Sequence, residues 1–308
     1  MISIIICSRH SLLQPSLSQN IEDTVGISYE IVHIDNSDNR YSIFSAYNEG
    51  IRRSKYSHLC FVHEDVEFLT ANWGEKIINR LNLPDVGFIG VAGGKGALRV
   101  PIGWTAYMPV VNIIHSHTDD NNITIDKKEL KLIAGSREPQ PVILLDGVFL
   151  CANKALFEKC AFDESIGGFH GYDLDICIGA VEKGYINYVV SDIDIRHYST
   201  GNFGVDYLKA LFRIQEKREG ILPLFEPSCK TRITPKELYK AEKNALSRLR
   251  KRMVRSGMPF ADIIPIVRKY TWQTGSKFDK LMFAFIKLQL IIIRQVSVLR
   301  KLMIHQKM

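Results

Sequence analysis

Between residues 2 and 91 the chain repeats one pattern: a short apolar, β-branched run closes on polar residues, and a stretch of helical spacing follows. The runs are residues 2–7 (ISIIIC), 29–34 (YEIVHI), 58–62 (HLCFV) and 86–91 (VGFIGV). Ile43, Ala46, Tyr47, Gly50 and Ile51 recur at helical spacing between the second and third runs, and residues 73–81 read as a further helix. Such β-α-β-α-β alternation predicts a mostly parallel sheet with helices on its faces. Ligands of such sheets bind beyond the carboxyl ends of the strands. That directs attention to Ser8, Arg9, Asp35, Asn36, His63, Glu64 and Asp65. Residues 112–140 read as a polar, irregular insertion over that end. Strand character resumes at 142–153, a glycine-rich stretch spans 162–172, and a helix is expected over 173–183, ended by Gly184. A strand over 186–190 and the alternating Ile193-Asp194-Ile195 lead to His197.

The 308 residues suffice for one large α/β domain with an appendage. The net charge of +7 is unevenly spread. Residues 1–204 carry 17 Lys and Arg against 25 Asp and Glu, and residues 205–308 carry 23 against 8. We therefore expect a catalytic domain over 1–204 and a basic helical extension over 205–308. An acidic first part suits a metal-binding cleft, and a basic tail suits an anionic surface, phospholipid or nucleic acid. Within the tail, residues 278–304 place Phe278, Leu281, Phe285, Leu288, Ile292, Leu299 and Leu302 on a seven-residue rhythm, with Lys280, Lys287, Arg294 and Lys301 alongside. Three readings fit: an in-plane amphipathic helix at a membrane, a dimerising coiled coil, or a helix packed on its own domain. The near absence of Glu favours the membrane. The six cysteines include no CxxC pair. Cys7, Cys60, Cys151 and Cys177 sit in apolar runs and read as buried thiols of a reducing compartment, with no zinc site. No uncharged stretch reaches the roughly 18–20 residues a membrane span needs. A cytoplasmic protein, peripheral to the inner membrane face at most, is the expectation.

His63-Glu64-Asp65, at the end of an apolar strand, supplies hard oxygen ligands of the kind that hold Mg²⁺ or Mn²⁺ against phosphate. The alternative is a solvated turn. GYDLD at 171–175 opens a helix, where Asp173 or Asp175 serves either as a base for an acceptor hydroxyl or as a favourable charge at a helix N-terminus. His197 is either a metal ligand or a structural histidine. Asp35 and Asn36 either bind a nucleoside or form a turn. Gly93 and Gly94 could bring backbone close to a phosphate, though 93–96 match neither GxGxxG nor the Walker pattern.

Taken in order, these segments resemble family 2 glycosyltransferases of the GT-A fold, in the bacterial StrF-type branch. SIIICSRH with EIVHIDNS is similar to the family's nucleotide-binding opening. YNEGIRRSKYSHLCFVHEDVEF is similar to its Asn-x-Gly helix and metal-binding strand. FDESIGGFHGYDLDICIGAVEKGYINYVVSDIDIRH is similar to the stretch from Phe-Asp through the catalytic acids to a late His. The resemblance covers about residues 1–204. It implies that Asp35 and Asn48 shape the nucleoside pocket, with Ser8, Arg9, Asn36, Glu64, Gly93 and Gly94 on the donor side. It further implies that His63, Asp65 and His197 face a divalent metal, Mn²⁺ or Mg²⁺. Asp173 falls where the family has its base, supported by Asp175. Trp104, Tyr107 and His170 are acceptor candidates from position alone. Two departures stand out: HEDV replaces Asp-x-Asp, and Tyr172 precedes Asp173 where many relatives have Glu. The implied reaction is inverting transfer from a nucleoside-diphosphate sugar to a saccharide or lipid-linked acceptor. A GT-A-fold module without catalysis and a nucleotidyltransferase are the rival readings. No nucleic-acid-binding motif accompanies the basic tail.

Overall fold

A computed structural model describes residues 1–118, 124–131, 138–199 and 203–273, with helical positions at 288, 291, 292 and 295. The first strands and helices are β1 (Ile2–Ser8), α1 (Pro15–Thr24), β2 (Tyr29–Asp35), α2 (Ile43–Arg53), β3 (His58–Val62), β4 (Val66–Phe68) and α3 (Trp73–Leu81). Next come β5 (Val86–Gly90), β6 (Ala92–Ala97), β7 (Tyr107–Thr118), β8 (Thr124–Lys131), β9 (Gln140–Val142), β10 (Leu144–Leu145) and β11 (Phe149–Asn153). Then follow α4 (Tyr172–Glu182), β12 (Ile186–Val189), β13 (Ile195–His197), α5 (Val205–Lys217), β14 (Leu224–Phe225), α6 (Pro227–Lys230), α7 (Pro235–Arg255) and α8 (Phe260–Gln273).

The chain divides into two compact units. The first comprises Met1–Ala97, Gly103–Gly201 and Leu224–Lys230, and the second Leu98–Ile102, Asn202–Pro223 and Thr231–Met308. The first unit contains a seven-stranded sheet in the order β2-β1-β3-β11-β5-β12-β9. β2, β1, β3, β5 and β12 run one way, and β11 and β9 run against them. A second sheet, β10-β6-β7-β13-β4, adds β14 on β6 and β8 on β7. β7 and β8 form an antiparallel hairpin with Ser116 opposite Asp126. Within 112–140, residues 112–118, 124–131 and 140 are therefore strand, not irregular insertion.

Apolar burial explains the layering. Ile2, Ile4 and Ile6 face α1 and α3 in one cluster, where Phe68 stacks on Trp73 at 4.3 Å and Phe149 meets Trp73 edge-on. On the other face of β1, a Cβ at Gly50 would lie 2.3 Å from Ile5 Cγ2, so only glycine lets α2 seat this closely. Ser42 caps α2 by accepting the Ser45 amide, and α2 also carries Tyr47, packed among Phe61, Phe162 and Tyr172. Cys60 and Cys151 face one another across β3 and β11 and are joined as a disulfide. Reading these two as free thiols is thereby corrected: direct cross-strand pairing brings side chains 91 residues apart into contact. Cys7 and Cys177 remain thiols, both held above the ordinary cysteine range by burial.

In the second unit, Thr234 and Glu237 form a reciprocal capping box at the start of α7. The Arg99 guanidinium donates to both oxygens of Glu242, which is fully buried. Among the described residues no helix is long and apolar enough to cross a membrane. The amphipathic pattern over 278–304 lies outside the described residues, apart from 288, 291, 292 and 295.

Candidate active site

Three strand ends meet at one point. β3 delivers His63, the turn into β4 delivers Asp65, and β13, antiparallel to β4, delivers His197 opposite Val66. One ligand atom from each of these three side chains lies within 4.8 Å of the others. Asp65 Oδ1 is 3.3 Å from His197 Nε2 and 3.8 Å from His63 Nδ1. The tautomer of His63 follows from its other nitrogen. Tyr172 donates its hydroxyl to the Gly147 carbonyl at 3.0 Å, so toward His63 Nε2, 2.8 Å away, that oxygen accepts. His63 therefore carries its proton on Nε2 and turns an unprotonated Nδ1 toward Asp65, the orientation that an outer hydrogen bond fixes in metal-binding histidines. Burial and the neighbouring His197 hold the His63 imidazole below its ordinary value, favouring the neutral form a ligand needs. Burial raises the Asp65 carboxyl, but its hydrogen bond to His197 and the charges of both histidines outweigh this and bring it down to about 2. Imidazole nitrogens mixed with a carboxylate suit a divalent first-row transition metal better than Mg²⁺, which prefers oxygen ligands alone.

The adjoining half of the site hangs on one turn. Gly147 donates its amide to Asp173 Oδ2 at 3.1 Å, and Val148 donates to Asp146 Oδ1 at 2.9 Å. The Trp104 indole donates to Asp146 Oδ2 at 2.8 Å. Val148 in turn accepts the His63 amide at 3.2 Å, so the turn touches both halves. Asp173 stands at the start of α4, which Gly171 opens with φ 80°. Burial first, then the charge of Asp146, pushes the Asp173 carboxyl up to about 7, against the pull of helix-start amides.

The remaining predicted residues are distributed around these two clusters. Glu64 turns away from the histidines: Ser8 donates to it at 2.5 Å and the Arg9 side chain at 2.8 Å, tying the ends of β1 and β3 together. Asp35 lies beside Ser8 in the β1–β2 register and accepts the Ser37 amide. Asn36 is buried and spends its amide closing the loop onto Tyr41. Asn48 anchors α2 to the glycine-rich loop, donating to the Phe162 carbonyl and to Glu164. Gly93 and Gly94 are buried inside β6. A Cβ there would meet the Leu144 and Trp104 carbonyls at 2.3 and 2.0 Å, so close packing of the strand requires glycine at both positions. Asp175 is buried two residues past Asp173 in α4. Tyr107 packs edge-on against Phe225, and His170 precedes the cap of α4. Beside Asp65 opens a cavity of about 510 Å³ lined by Arg9, His10, Gln14, Asn20, Glu67 and Tyr198, among others. Sequence reasoning passed over Asp146, Gly147 and Ser199, which lies 3.1 Å from His197 Nε2. Asp146-Gly147 reads locally as a turn, and only the fold discloses what it faces.

A mostly parallel seven-stranded sheet beside a second, mixed sheet, flanked by helices, is the architecture of the GT-A class of fold. Residues 3–199 match the family described as glycosyltransferase-like, and the chain belongs to that family. No curated protein matches the chain. Among solved structures, a mannosyltransferase from Pyrobaculum calidifontis, PcManGT, in complex with GDP-Man and Mn²⁺, is similar at a TM-score of 0.50 and 10% identity. That likeness covers 96% of this chain and 83% of the other. GalNAc-T7 with UDP, GalNAc and Mn²⁺ gives a TM-score of 0.49 at 11% identity, covering 90% of this chain, which spans 54% of that one. At such identities the likeness speaks to the fold alone.

Proposed function

We propose that this chain transfers a sugar from a nucleoside-diphosphate sugar to an acceptor hydroxyl, with inversion at the anomeric carbon. The observation that carries the reading is the hydrogen bond from His63 to Tyr172, which sets the His63–Asp65–His197 cluster beside the residue preceding Asp173. His63, Asp65 and His197 would hold a divalent metal, which when bound neutralises charge on a departing diphosphate. Mn²⁺ with GDP-Man in the Pyrobaculum structure supports this substrate class.

In the proposed reaction Asp173 takes the proton of the acceptor hydroxyl. That oxygen bonds to the anomeric carbon as the bond to the diphosphate breaks, and the nucleoside diphosphate leaves on the opposite face. A carboxyl held near 7 has the proton affinity a base requires at neutral pH. The nucleoside is assigned to the Ser8 and Asp35 strand ends, and the acceptor to the side bearing Trp104, Tyr107 and His170. Asp175, buried behind the base, supports its helix. A polysaccharide or glycoconjugate acceptor and a StrF-type affiliation complete the reading.

The test is a screen of UDP-, GDP- and dTDP-sugars with and without Mn²⁺, reading release of nucleoside diphosphate and the anomeric configuration of the product. Asp173→Asn is expected to lower kcat by about 10²–10⁴-fold while donor binding persists. Turnover at the wild-type rate in that variant refutes the base assignment. Donor binding without release by the wild-type protein favours a non-catalytic module.

For the C-terminal extension, Leu288, Ile291 and Ile292 are exposed at positions three and four apart in a helix, which favours an in-plane membrane contact. Co-sedimentation with anionic vesicles, with and without residues 276–308, tests it. Equal pelleting of both chains removes the membrane reading.

A further inference from the structure

Sugar transfer through Asp173 leaves one carboxylate of the site unused. Asp146 lies between β10 and β11, with both oxygens held by N–H donors, from Val148 at 2.9 Å and from the Trp104 indole at 2.8 Å. The intervening amide, Gly147, is the one given to Asp173 at 3.1 Å. Two carboxylates thus hang from consecutive amides of a single turn. Tyr172 clamps that turn, donating to the Gly147 carbonyl, and a Cβ at 147 would sit 2.1 Å from the Tyr172 hydroxyl. Trp104 is partly exposed, so the same carboxylate also holds an aromatic side chain at this turn.

Resting on the glycosyl-transfer reading, we propose that Asp146 is a positioning residue for Asp173. It fixes the turn that aims the Asp173 carboxylate, sets a negative charge beside it, and pins Trp104 at the same point. The charge works in a definite direction. Like charges in one site favour proton uptake by one of them, and Asp146 follows burial as the cause that lifts Asp173 toward 7. Tyr47 from α2, and Tyr172 and Cys177 from α4, also face Asp173. Burial keeps each of these three protonated, so they lend it no charge.

Asp146→Asn keeps the side-chain outline, removes the charge and, like Trp104→Phe, gives up one of the two donated hydrogen bonds. The acidic limb of its kcat/KM profile is expected to move down by about one pH unit. Trp104→Phe removes one donor but leaves the charge, and its limb should stay at the wild-type pH. The second readout needs no turnover: a carbon-13 carboxyl titration of the full-length protein, with the Asp173 resonance identified by its loss in Asp173→Asn. A fall in the Asp173 midpoint in Asp146→Asn alone supports the proposal even if no donor sugar is turned over, so the two readings fail separately. An unchanged midpoint in Asp146→Asn overturns the proposal. An equal shift in both variants also overturns it, since loosening of the turn then suffices. If Asp146→Asn does not fold, Asp146→Glu serves: it keeps the charge and changes its reach, and should lower kcat at an unmoved limb and unchanged donor KM. Wild-type kcat in that variant counts against positioning.

Discussion

Asp173 carries a cost that the chain accepts for its position. A carboxyl raised from its ordinary 3.8 to about 7 binds its proton more tightly folded than unfolded. Its contribution to stability is therefore full below the unfolded value and is lost as pH rises through about 7. Asp173→Asn has no proton to lose, so above pH 8 its melting temperature should exceed the wild type's even as transfer disappears. Thermal unfolding of both proteins from pH 5 to 9 reads this, and parallel curves would sink the raised-carboxyl assignment. The same scale shows which site residues were legible. His63, Asp65, Asp173 and His197 each follow a strand or open a helix, so local pattern marked them. Glu64 carried the same mark, yet Ser8 and Arg9 claim it, because a strand end offers two directions and only the neighbour strand decides between them. Asp146 had no distinguishing local pattern, since its meaning comes from Trp104, 42 residues away, and from Asp173.

At the level of elements, the parallel strands were readable because their apolar runs, most fully buried in β1, β3 and β5, are bounded by polar residues. The second sheet was not. β4 has three residues, too few for a period to register, and β10 and β13 showed only as strand character within 142–153 and as the alternation before His197. The end of β7 (HSHT) and most of β8 (TIDKKELK) are runs of polar residues that resemble a loop in composition. Gly50 was read as part of a helical stripe, and its stricter role is contact. Gly50→Ala would gain about 1 kcal/mol of helix propensity. Against this, a methyl 2.3 Å from Ile5 Cγ2 forces α2 off β1 or Ile5 out of its rotamer, and overpacking of this kind costs about 1–3 kcal/mol. Packing should win, lowering the denaturation midpoint in a urea titration. An unchanged or higher midpoint would mean that Ile5 relaxes freely.

For the whole molecule, the two compact units interleave along the chain, with Leu98–Ile102 in the second and Leu224–Lys230 in the first. Leu224 and Phe225 pair with Ala97 and Gly96, returning β14 to the first unit after α5 has begun the second. No compositional signal marks a two-residue strand. The consequence for function is that the predicted ligand site lies wholly within the first unit, since His63, Asp65, His197, Asp146 and Asp173 all belong to it. A ligand that binds only the folded site stabilises by mass action, by about 2.7 kcal/mol at a hundredfold excess over Kd. For a unit of this size each kcal/mol is worth about 2–4 °C. Mn²⁺ with the matching nucleoside diphosphate should therefore raise the melting temperature of the full chain by about 5–10 °C, and Mn²⁺ or nucleotide alone by less, because metal and diphosphate hold one another. Asp65→Asn should abolish the joint shift, since it removes the carboxylate that lies between the two histidines. A shift of equal size in that variant would place the nucleotide elsewhere and leave the three side chains without a ligand to explain them.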